Sequence, residues 1–99
     1  MIDLKPEFLV IVKQILREHV PEYEVWVFGS RVKGTAKSYS DLDLALVGRE
    51  KLKFKCLYEL REAFQESELP IRVDVIDWQA TSDGFKNVIE KGYERLDVD

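Results

Sequence analysis

Apolar and polar positions alternate with two different periods along this chain. Between residues 4 and 19, Leu4, Phe8, Ile11, Val12 and Ile15 recur at helical spacing. Pro6 suits a first helical turn and Pro21 stops the helix. The β-branched and aromatic run "EVWVF", residues 24–28, predicts a strand that Gly29 ends. "LDLALV", 42–47, predicts a second strand. A helix over 52–66 carries Cys56, Leu57, Leu60, Ala63 and Phe64 on one side, and Pro70 follows it. "RVDVID", 72–77, predicts a third strand. Thr81 or Ser82 caps a last helix bearing Phe85, Val88, Ile89 and Tyr93. The order is helix, strand, turn, strand, helix, strand, helix. That pattern predicts an α/β (α+β) fold, a small mixed sheet packed with helices.

Composition narrows the class. The chain has 99 residues, enough for one domain with a modest core, so residues 1–99 are read as a single unit. Fifteen basic against nineteen acidic residues give a net charge of -4. A domain that coats nucleic acid by charge is usually basic, so no direct nucleic-acid binding is expected. The single cysteine, Cys56, forms no internal disulfide, and a reducing compartment is the default. The opening "MIDLKPEFLV" is not patterned like a signal peptide. No apolar run approaches the ~20 residues that span a membrane. These readings predict a cytoplasmic protein. A homo-oligomer stays open.

Candidate chemistry lies in "GSRVKGTAKSYSDLDLALV", residues 29–47. Residues two apart in a strand share a face, so Asp41 and Asp43 project together. Asp74 interrupts the third apolar run between Val73 and Val75. If the second and third strands are neighbours, Asp74 stands beside that pair. Three grouped carboxylates repel one another unless a proton or a cation intervenes. Oxygen-rich sets suit Mg²⁺ or Mn²⁺, and Mg²⁺ completes its shell with water and substrate phosphates. Such sites serve two-metal phosphoryl or nucleotidyl transfer, with ions about 3.5–4 Å apart. The plainer alternatives are a turn or cap role for Asp41, and a salt bridge from Asp74 to Arg72 or Arg31. An EF-hand is excluded, since Leu46 stands where that loop requires glycine. Gly29-Ser30 after a strand offers backbone N–H groups and a hydroxyl to a phosphate, with Arg31 and Lys33 adding charge. A P-loop is excluded, because Thr35 follows Gly34 where lysine is needed.

Gly29-Ser30-Arg31-x-Lys33-Gly34 followed by Ser40-Asp41-Leu42-Asp43-Leu44 and a lone acid on a later strand resembles the nucleotidyltransferase superfamily of DNA polymerase beta type. It is most similar there to the minimal nucleotidyltransferases. The resemblance runs from the first helix through "RVDVIDW". It implies that Gly29 and Ser30 hold the β- and γ-phosphates of a nucleoside triphosphate, ATP being expected. It implies that Asp41 and Asp43 bind two Mg²⁺ ions (Mn²⁺ as substitute), and that Asp74 helps hold the catalytic ion. Arg31 would neutralise phosphate charge. Lys33 departs from the arginine of many members and loses the bidentate fork. The family also implies a partner, a small helical protein of HEPN type. In such pairs the nucleotidyltransferase is an antitoxin that places AMP on a tyrosine of a ribonuclease toxin.

Three other readings remain beside that one. The domain could neutralise its partner by contact alone. It could complete a small-molecule transferase with a helical subunit. It could bind metal or phosphate without transfer. His19 near a helix C-terminus, Cys56 on an apolar face, and Tyr23 and Trp26 at the first strand read as structural. Trp78 reads as packing, with base stacking as the alternative. Lys51, Lys53 and Lys55 read as a solvated face.

Overall fold

The two predicted long helices and three predicted strands form in the computed structural model, which describes residues 1–98. Helix α1 spans Pro6–His19, with Pro6 in its first turn and His19 in its last. Strand β1 is Glu24–Phe28, β2 is Leu42–Val47 and β3 is Val73–Asp77. Helix α3 spans Phe54–Gln65. A four-residue helix, α2, occupies Ser30–Lys33, where a turn was expected. A 3₁₀ turn at Trp78–Ala80 leads to α4, Asp83–Glu90, whose N-cap Ser82 accepts the Phe85 N–H at 3.3 Å.

One expectation fails at the end of the chain. Tyr93 does not continue the last helix but opens a fourth strand, β4, Tyr93–Leu96. Gly92 N–H bonds to the Ile89 carbonyl at 3.0 Å, and the chain turns there. Pairing with β1 then outweighs the helical spacing of Phe85, Val88, Ile89 and Tyr93.

The sheet runs β3-β2-β1-β4. β1 pairs antiparallel with both β2 and β4, and β2 pairs parallel with β3. The mixed sheet expected from sequence is therefore present. Alternation along β1 buries Val25 and Val27 on one face, with Trp26 and Phe28 on the other. Helices α1 and α3 cover the first face through Val12, Leu16, Leu60 and Phe64, against Leu42, Leu44, Leu46 and Val75. Cys56 packs beside this core, as its apolar face implied. The second face is only partly covered. There Trp26 stacks on Tyr93 at 4.0 Å and meets Trp78 edge-on at 4.9 Å. Phe28 meets Phe85 edge-on at 5.9 Å. The remainder of that face, at the β1 C-terminal end, carries the acids.

Candidate active site

Gly29 follows the last residue of β1 with φ 80° and ψ -156°, a conformation that essentially only glycine adopts. A Cβ built there would collide with Asp43 Oδ2 and lie 3.3 Å from Asp43 Cγ. Glycine is thus what lets the turn press against the carboxylate. Helix α2 begins at once, so its first N–H groups have no acceptor within the helix. The Val32 and Lys33 N–H groups both return to the Gly29 carbonyl at 3.1 Å. Gly34, in the left-handed region at φ 79°, closes the helix.

Asp41 directly precedes β2, and Asp43 is the second residue of that strand. The parallel register sets Asp43 opposite Asp74 of β3, with backbones roughly 4.8 Å apart. On its other side Asp43 stands opposite Phe28. Asp74 Oδ1 accepts from Arg72 Nε at 2.9 Å, with the two side chains 38% and 75% exposed. Of the two salt-bridge partners considered for Asp74, the structure selects Arg72. Burial and the neighbouring charges of Asp74 and Asp41 raise the Asp43 carboxyl from its usual 3.8 to about 6, while Arg72 pulls it down. The site holds more negative charge than it neutralises.

That imbalance, together with an all-oxygen donor set, fits a hard divalent cation. Among the described residues, no three acid, histidine or cysteine side chains are grouped so that they could hold a metal ion by themselves. The set instead suits an ion that takes few carboxylates and completes its shell with water and phosphate oxygens. Beside the acids opens a groove of about 860 Å³, bounded by Phe28, Phe64, Leu69, Ile71, Arg72 and Phe85 among others.

The structure brings Gly29 into contact range of Asp43, and Asp41 and Asp74 both act on the Asp43 charge. Ser30 begins α2 beside them. Arg31 is placed differently from the expectation that it neutralises phosphate. It is buried, only 6% exposed. Its guanidinium donates to the carbonyls of Asp3, Lys37, Ser38 and Ser40 rather than facing the acids. Trp78 packs on Trp26, with Lys86 Nζ 5.4 Å from its ring centre. Arg72 was considered only as a counter-ion for Asp74. Its place two residues before Asp74, on the same strand face, was the available signal for its presence at the site.

A short mixed sheet with a glycine turn pressed on Asp43, and with Asp41 and Asp74 near it, is the arrangement expected of a nucleotidyltransferase. The chain belongs to that class: the family model described as Polymerase beta, Nucleotidyltransferase matches residues 11–96. Its members generally use a divalent metal. Among particular relatives, the chain is 56% identical over 92 residues to the probable protein adenylyltransferase MntA of Haemophilus influenzae, covering 93% of this chain and 81% of that one. It is 34% identical over 77 residues to the protein adenylyltransferase MntA of Thermococcus cleftensis, covering 78% and 77%. A chain in a crystal structure of a toxin–antitoxin with AMP-PNP superposes with a TM-score of 0.73 at 25% identity, covering 92% of this chain and 72% of that one.

Proposed function

We propose that this protein is a metal-dependent protein adenylyltransferase. It moves AMP from ATP to a tyrosine hydroxyl of a small helical HEPN-type toxin and so acts as the antitoxin. The observation that carries this reading is the Asp43–Asp74 register, with the Gly29 turn against Asp43. Relatives named as protein adenylyltransferases and the likeness to a toxin–antitoxin chain support the choice of acceptor. Residues 1–99 act as one catalytic domain in the cytoplasm.

The roles follow from placement. Gly29 and Ser30 receive the β- and γ-phosphates at the start of α2. Asp41, Asp43 and Asp74 would hold two Mg²⁺ ions, or Mn²⁺ in their place, which would supply neutralisation of the triphosphate and of charge developing at phosphorus. The acceptor oxygen forms a bond to the α-phosphorus while the bond from that phosphorus to the α–β bridging oxygen breaks. Pyrophosphate leaves, and the hydroxyl proton passes to Asp74. Arg72 fixes the Asp74 carboxylate through its 2.9 Å contact. Positioning and charge neutralisation supply most of the acceleration.

Incubation with Mg²⁺, the toxin partner and ATP labelled on either the α- or the γ-phosphate tests this. The α-label alone becomes fixed to the toxin, and the Asp41→Asn, Asp43→Asn double variant fixes none. Fixation of the γ-label means a kinase. Neutralisation of the toxin by the double variant means inhibition by contact.

A further inference from the structure

The basic residue after the glycine turn has an unusual environment. Arg31 is buried, yet its guanidinium meets no carboxylate within ion-pair distance among the described residues. Nη1 donates to the Asp3 carbonyl at 2.7 Å. Nε and Nη2 reach the Ser40 carbonyl at 3.1 and 2.9 Å. Nη2 also reaches the Lys37 and Ser38 carbonyls, each at 3.2 Å. The Arg31 carbonyl in turn accepts the Asp3 N–H at 2.7 Å. A planar fork of five donors is what such a spread of acceptors requires, and an ammonium cannot match it.

Every carbonyl it binds beyond Asp3 belongs to the loop that ends at Asp41. That loop has its own turn, in which Lys37 N–H donates to Ser40 Oγ at 2.8 Å and Ser40 N–H to the Lys37 carbonyl at 3.1 Å. Arg31 itself follows Ser30 in α2. One side chain therefore ties the glycine turn to the loop that delivers Asp41. We infer that Arg31 is a positioning residue: it does not bind phosphate but holds the 37–40 loop so that Asp41 meets the metal in a fixed place relative to Gly29 and Ser30. The inference rests on the proposed metal role of Asp41.

Arg31→Lys keeps the charge and loses the fork. Backbone hydrogen exchange, Mn²⁺ titration by electron paramagnetic resonance, and kcat and KM for ATP are measured on this variant. Ser40→Ala, which removes the Lys37 N–H acceptor without touching Arg31, is measured alongside. In Arg31→Lys the amides of residues 37–41 exchange about tenfold faster and Mn²⁺ affinity falls about tenfold, the scale typical of residues that orient metal ligands. The loss is in kcat, with KM for ATP within about twofold. Ser40→Ala shifts loop exchange and Mn²⁺ affinity in the same direction, by less. Unchanged loop exchange and Mn²⁺ affinity with a raised KM for ATP would make Arg31 a phosphate ligand and overturn the inference. So would a loosened loop in either variant with Mn²⁺ affinity intact; should Arg31→Lys not fold, Ser40→Ala decides on this criterion. Wild-type protein that binds no Mn²⁺ instead overturns the metal reading of the site, and loop exchange then judges Arg31 alone.

Discussion

Asp43 carries the strongest conflict in the molecule. It holds its proton more tightly in the folded chain, up to about 6, than at the ordinary value of 3.8. The folded state thus binds more protons across that interval, and stability falls as pH rises from about 4 to about 6. Above it the ionised carboxylate opposes folding in full. Asp43→Asn removes that opposition. Its melting temperature at pH 8 should rise by about 4 °C, or about 1 kcal/mol once solvent screening is allowed for. The gain should disappear near pH 4, which calorimetry across pH will show. Transfer should fall roughly a thousandfold, the several kcal/mol that metal charge stabilisation supplies. The same titration predicts Mn²⁺ affinity of the wild type to climb between pH 5 and 7, measured by resonance titration. Gly29→Ala combines a positive-φ strain of about 1–3 kcal/mol with a clash against Asp43. It should lower both the melting temperature and the transfer rate.

Among the elements, β3 carries two acids with opposite duties. Asp74 lies on the face that bears Asp43. Asp77, 8% exposed, lies on the buried alternation of the strand. Its Oδ2 accepts the Leu52 N–H at 2.9 Å and its Oδ1 the Gln79 N–H at 3.1 Å. Asp77→Ala should cost about 2 kcal/mol in denaturant melts, since it removes the acceptor that the Leu52 and Gln79 N–H groups share, and leave Mn²⁺ affinity unchanged. Asp74→Asn should do the reverse.

The two strands that carry the acids were legible because alternation and β-branched residues mark them. The Asp43–Asp74 juxtaposition needed the strand order as well, which no local pattern encodes. β4 was missed because it is four residues long and buries only Leu96, so a helical spacing through Tyr93 looked equally good. Phe85 and Val88 lie on the expected last helix but are exposed, and Ile89 alone is buried on it. The duty of Arg31 was hidden for a further reason. Its acceptors are backbone carbonyls, and a sequence does not distinguish a carbonyl from its neighbours.

In the molecule as a whole, stability rests on the sheet face that α1 and α3 cover. Leu16 is fully buried there. Leu16→Ala should cost about 2–5 kcal/mol and shift a single cooperative melt downward by 10 °C or more, with the site residues untouched. Among the described residues, the opposite face has no such cover near the acids. Strand β3 is the outer border of the sheet, and Val75 turns its carbonyl away from β2 to accept Arg61 at 2.9 Å. A hydroxyl meeting Asp74 therefore arrives over a rim, not down an enclosed shaft. The glycine turn is set by backbone geometry, while the groove beside the acids is bounded by side chains such as Leu69, Ile71 and Phe85. Substitutions along that rim would reshape the groove while leaving the glycine turn and the three acids as they are.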